Sequence, residues 1–138
     1  MTISLYFETT AFTKPNKLMG RHVAGANFLR AFCENISSNE FWTFVENNKD
    51  ANKLKSISRE YGFMGNLYVI QRRNLEDLKK PGLLYFPGPD IGQFSRLRSF
   101  FGASSWSLCG VTHTTATHKI MDGVLDLLLQ PIEQIHFF

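Results

Sequence analysis

Two stretches of this sequence combine residue types and spacings that suit chemistry at a ligand. In Lys17-Leu18-Met19-Gly20-Arg21-His22-Val23-Ala24-Gly25, the two glycines have the GxxxxG spacing of a phosphate loop. Ala26-Asn27 stands where a nucleoside-triphosphate loop needs Lys-Ser/Thr, and GxGxxG is absent. What remains is a glycine at a helix start with Lys17 and Arg21 beside it, and free N–H groups with cationic side chains suit an anion. A tight turn at Gly20 and close helix packing at Gly25 are the structural alternatives. In Cys109-Gly110-Val111-Thr112-His113-Thr114-Thr115-Ala116-Thr117-His118, a histidine follows an apolar run and hydroxyls follow the histidine. At a strand end His113 could donate or accept a proton or bind a sugar hydroxyl or phosphate oxygen. It could equally cap the strand on a backbone carbonyl. His118 falls inside the next helix, one turn before Asp122, where a solvated or locally paired role is expected.

Three further possibilities carry less. Tyr85-Phe86-Pro87-Gly88-Pro89-Asp90 is a stiff loop that fits a substrate edge or plain turn chemistry. Cys109, His113, His118 and Asp122 lack the HExxH and CxxC patterns, so no metal site is expected. Cys109 and His113 on an extended strand would stand about 13 Å apart at ~3.3 Å per residue, too far for a nucleophile pair. No cofactor is expected.

The elements that must position these segments alternate. Ile3–Phe7, Phe41–Val45, Leu67–Gln71, Leu83–Phe86 and Trp106–Val111 are short apolar or β-branched runs that predict strands. Between them, 9–20 reads as a loop by its Pro, Asn and Gly. Arg21–Glu34 reads as a helix with Val23, Ala24, Phe28, Ala31 and Phe32 on its apolar side, and Lys49–Tyr61 as one with Leu54, Ile57 and Tyr61. Asn74–Lys80 is a polar helical turn. Asp90 is placed to cap a helix carrying Ile91, Phe94, Leu97 and Phe101, with Gly102 as its stop, and Thr117–Gln130 is the longest helix. Such alternation predicts a three-layer α/β fold with a mainly parallel sheet, with Ile3–Phe7 and Trp106–Val111 as inner strands. Gly20, Arg21 and His113 each follow a strand in the same sense, so they are expected at one edge of that sheet.

Composition sets the frame. At 138 residues, one domain spanning 1–138 is expected, and 43% hydrophobic with 20% charged excludes a disordered chain. A net charge of +3 favours anionic ligands but falls short of a nucleic-acid footprint, so no nucleic-acid partner is expected. No stretch approaches the ~18 apolar residues of a membrane span, and Met1–Phe7 does not read as a signal peptide. Cys33 and Cys109 are expected as reduced core thiols in a cytoplasmic protein. The 13 phenylalanines feed either a core or an exposed contact face.

The two densest segments also resemble a known family. Lys17–Arg30 is similar to the "KLMGR-xxAG-xxFLR" opening of certain bacterial GT-B glycosyltransferases. Trp106–Ala116, followed by Ile120-Met121-Asp122, resembles their "SLCGVTHTTAS" segment, and Leu84–Pro89 their "LYxPGP" stretch. The likeness runs in order from about residue 3 to 134, weakly over Asn35–Lys80. It implies a Rossmann-like domain on the acceptor side of a nucleotide-sugar-dependent enzyme. Gly20, Arg21 and Lys17, with Thr112 and Thr114, would then contact substrate, and His113 would stand near the transferred sugar. In such enzymes a second domain holds most of the nucleotide-sugar. Ile135–Phe138 no longer follows the family pattern, so a C-terminally truncated unit is expected, inactive alone and pairing as a homodimer through Ile135, Phe137 and Phe138. The alternatives are a non-catalytic binding or interaction module on the same fold, and an unrelated small α/β enzyme using His113.

Overall fold

The short β-rich runs become five strands: β1 (Thr2–Tyr6), β2 (Glu40–Phe44), β3 (Asn66–Ile70), β4 (Gly82–Phe86) and β5 (Ser107–Gly110). Helices fall between them: α1 (Thr9–Phe12), α2 (Gly20–Asn35), α3 (Asn48–Glu60), α4 (Gly92–Ser99) and α5 (His118–Leu129), with a 3-10 segment at Arg72–Lys79. The computed structural model describes residues 2–12, 20–112 and 118–130. The strands form one mainly parallel sheet in the order β3-β2-β1-β4-β5, the arrangement of a Rossmann-like three-layer α/β fold. β2 pairs with β3 and β4 with β5, both in parallel.

β1 is inner, at the centre of the order, as expected. β5 is not: among the described strands it closes the order at one edge, and its last two residues, Cys109 and Gly110, are exposed. The second cysteine is therefore a surface thiol and only Cys33 is a core one; both are free.

The chain divides into two compact units that share β1. In the unit Leu5–Leu75 the phenylalanines build the core. Phe7 stacks on Phe12 at 5.3 Å, Phe32 meets Phe41 at 5.1 Å, and Phe41 meets Phe63 edge-on at 5.6 Å. Fully burying one such ring contributes about 1.5–3 kcal/mol. Phe12 belongs to α1, a turn of helix inside the stretch whose breakers suggest only loop. On α2 the buried line is Ala26, Leu29 and Cys33. The larger Phe28 and Phe32 flank it half-buried, so the stripe expected from phenylalanine spacing is rotated from the true one. α3 buries Leu54 and Ile57 as its pattern demands, and Gly62 follows it at φ +86.

In the other unit, Leu84, Ile91, Phe94 and Trp106 are buried. α4 also buries Arg98, 2% exposed, whose Nη1 donates to the Trp106 carbonyl at 2.9 Å. Its N-cap is Ile91 without a side-chain hydrogen bond, so Asp90 does not cap it. Gly102 ends the segment at φ +100, a backbone region that favours glycine. No helix among the described residues is long and apolar enough to cross a membrane.

Candidate functional site

Gly20 is the first residue of α2, with Arg21 next. Gly25 has a different task. It lies inside the helix, where a β-carbon would overlap the main-chain carbonyl oxygen of Ala11. That contact lets α1 and α2 approach closely, which settles Gly25 as a packing glycine. Lys17 lies outside the described residues.

At the carboxyl end of β5, Gly110 fits against the loop that follows β4. A β-carbon there would stand 2.8 Å from Ile91 Cγ2 and 2.9 Å from the Gly88 carbonyl oxygen. The Val111 N–H donates to that same oxygen at 3.3 Å. Two of the segments singled out by sequence, the Pro-Gly-Pro loop and the Cys-Gly-Val turn, are thus held side by side. Thr112 follows, exposed, and α5 opens with an exposed His118. His113 and Thr114 lie outside the described residues, and with His113 so does the expected convergence of Gly20, Arg21 and His113.

α5 docks on α4 through small residues. A β-carbon on Gly123 would overlap Asp90 Oδ1, and one on Gly92 would overlap Asp126 Oδ2. Asp126 also pairs with Arg96 at 3.5 Å and accepts from Gln130 Nε2 at 2.8 Å. These contacts anchor the helix that follows the His113 segment. Among the described residues, no group of three or more His, Cys, Asp or Glu could hold a metal ion.

The unit Leu5–Leu75 carries a polar network that no local motif announces. Arg72 donates to the Glu46 carboxylate through Nε at 3.3 Å and Nη2 at 3.1 Å. Asp50 accepts from the Thr9 amide and hydroxyl and from Asn47 Nδ2, while its own amide donates to Asn47 Oδ1. Gln71 Nε2 donates to Asn48 Oδ1 at 2.6 Å. Burial, then the negative charges of Glu46, Glu8 and Asp50, push the Tyr6 hydroxyl up to about 12. The guanidinium of Arg72 is held still more firmly protonated by its hydrogen bond to Glu46. The sequence signal is a polar residue just past each strand: Glu8 after β1, Glu46 after β2 and Arg72 after β3. In parallel sheets that carboxyl edge is the usual side for ligands.

No protein-family model, no curated protein and no solved structure matches this chain.

Proposed function

We propose that the chain is the acceptor-side, Rossmann-like domain of a nucleotide-sugar-dependent glycosyltransferase of the GT-B kind, spanning 1–138. One observation carries the reading. In a mainly parallel sheet, the first glycosyltransferase-like segment, Lys17–Arg30, carries Gly20 at the start of α2, and the second, Trp106–Ala116, carries β5 with Gly110 at its end. That is where a fold of this kind offers main-chain groups and side chains to a ligand.

In this reading the N–H groups at Gly20 and Arg21, with Lys17, face phosphate or acceptor oxygens. Thr112 and Thr114 hydrogen-bond sugar hydroxyls. His113 stands beside the transferred sugar, where it binds a hydroxyl, assists the leaving phosphate or serves as base. Catalysis in a two-domain cleft draws on groups from both walls, so this domain supplies orientation and one proton-handling group, and turnover needs the donor-binding wall. The site is cytoplasmic in this reading, in keeping with Cys109, an exposed thiol that stays unpaired in a reducing compartment.

Amide-resolved NMR titration with a panel of nucleotide-sugars and free sugars tests it. Shifts are expected at Gly20, Arg21 and 112–114, diminished by Arg21→Ala and by His113→Ala. A panel that moves no amide in these two segments overturns the reading. Light scattering on the same samples tests the homodimer, with deletion of Ile135–Phe138 expected to release monomer.

A further inference from the structure

We propose that the free edge of β3, with the neighbouring face of α3, binds an extended acidic segment of a partner protein as an added strand. Among the described residues β3 ends the strand order on its side, and its register with β2 runs from Glu40↔Asn66 to Phe44↔Ile70 without a bulge. The Asn66 N–H donates to the Asn39 carbonyl at 2.7 Å, and the Ile70 carbonyl accepts from the Val45 N–H at 3.0 Å. Along a strand, successive residues turn their main-chain groups to opposite sides. Asn66, Tyr68 and Ile70 therefore bond to β2, and the N–H and C=O groups of Leu67 and Val69 point away from it.

Those outward groups border an open groove of about 600 Å³ between β3 and α3. Edge strands are commonly guarded by a proline, a lysine or a bulge. Asn66-Leu67-Tyr68-Val69-Ile70 contains none of these, and Tyr68 and Val69 are 37% and 40% exposed. An unguarded, regular edge beside a helix is the geometry of strand addition, in which main-chain bonds give affinity and side-chain pockets give specificity.

Charge selects the occupant. Among the described residues, the only ionisable side chains with full charge along the groove are Lys55 and Arg59, both cationic. Arg59 donates to the Phe63 and Gly65 carbonyls, neither of which neutralises it. Lys55 makes no ion pair among the described residues. A second copy of this chain fits poorly: β3 has no acidic residue to offer, and two-fold pairing sets Lys55 and Arg59 towards their own counterparts. A nucleic acid would meet the two cations but leave the main-chain groups of Leu67 and Val69 without partners. An extended peptide with carboxylates at alternate positions satisfies both.

Fluorescence anisotropy with a labelled, end-blocked peptide alternating valine and glutamate tests this on the full chain. The acidic peptide is expected to bind at least about tenfold tighter than its valine–lysine counterpart, a difference of about 1.4 kcal/mol. N-methylation of alternate amides, which deletes the donors to the edge, should weaken it by a similar factor. Val69→Pro removes an outward N–H and leaves the bonds to β2 in place, so it should abolish binding with an unchanged circular dichroism spectrum. Lys55→Glu, on the helix surface, leaves the groove with one charge of each sign and should erase the preference between the two peptides, which keeps the test decisive if the proline variant unfolds. Equal binding of acidic and basic peptides, indifference to N-methylation, or a duplex RNA that outcompetes the acidic peptide each overturns the proposal. So does dimerisation that depends on Val69 without peptide binding.

Discussion

Thr9 donates both its amide and its hydroxyl to one carboxylate oxygen of Asp50, at 3.1 and 2.6 Å. The bond pair ties the start of α1 to the first turn of α3, and Asp50 is buried to 7% exposure. Asp50 is at the same time the acidic residue that a helix N-terminus favours. Asp50→Ala removes the acceptor of these two Thr9 bonds and of one from Asn47. The expected loss is about 2–4 kcal/mol: a hydrogen bond to a charged group is worth about 1.5–3 kcal/mol, and water offsets much of the sum at these part-buried donors. Chemical denaturation should show a lower midpoint with an unchanged slope. A variant as stable as the parent would mean that water satisfies these donors.

Two glycine-to-alanine substitutions should give opposite results. Alanine in place of glycine inside a helix ordinarily gains about 1 kcal/mol. At Gly25 the added carbon overlaps the Ala11 carbonyl, which is main chain and cannot rotate aside, so a net loss of about 1–3 kcal/mol is expected. At Gly123 the overlapping atom is the end of the Asp90 side chain, which is exposed and can turn away. Gly123→Ala should be neutral or slightly stabilising. Thermal melts of the two variants side by side check the contrast.

Apart from α1, the succession of strands and helices was legible because the strands are short apolar or β-branched runs, β4 and β5 closed by Pro or Gly, and the longer helices carry their own period. Strand order is another matter. Trp106–Val111 is as apolar as an inner strand, yet β5 lies at an edge, because neighbours in a sheet are chosen by the crossovers and not by the strand's own composition. On α2, Phe28 and Phe32 drew the stripe towards themselves, while the buried line is Ala26, Leu29 and Cys33. The polar network was hidden for a simpler reason. Thr9 and Asp50 are 41 residues apart and Glu46 and Arg72 are 26 apart, so no local spacing links them. Gly20 was legible as a helix start because a glycine followed loop breakers and preceded a periodic run.

The two thiols should differ in reactivity. Cys109 is exposed, whereas Cys33 is buried, and burial with the nearby charge of Glu34 pushes its thiol up to about 11. The thiolate is the reacting species. Near neutral pH, one equivalent of a chromogenic disulfide reagent should react quickly and the second only as the chain unfolds. Cys109→Ser should remove the fast phase, and Cys33→Ser should leave it intact. Two equal fast phases would place Cys33 at the surface.

Stability in alkali should respond to Tyr6 in a way that separates its neighbours. The hydroxyl is raised from 10.0 to about 12, with burial the largest cause and Glu46 the next. A raised value means that the folded state holds the proton more tightly than the unfolded chain. The resulting stability is present in full below pH about 10 and is lost as pH climbs towards about 12. Glu46→Gln removes the second cause and keeps the first, so Tyr6 should titrate lower than in the parent yet still above the ordinary tyrosine value. Arg72→Ala acts the other way, because the guanidinium lowers the Tyr6 value and its loss leaves the Glu46 charge unopposed. Its direct cost in stability should be small, about 0–1 kcal/mol, since the Arg72–Glu46 pair is half-exposed. NMR detection of the Tyr6 ring carbon bearing the hydroxyl, followed across alkaline pH in the three proteins, reads the order directly. The expected order of midpoints is Glu46→Gln lowest, parent next and Arg72→Ala highest. A Glu46→Gln midpoint equal to the parent's would show that burial alone sets the shift.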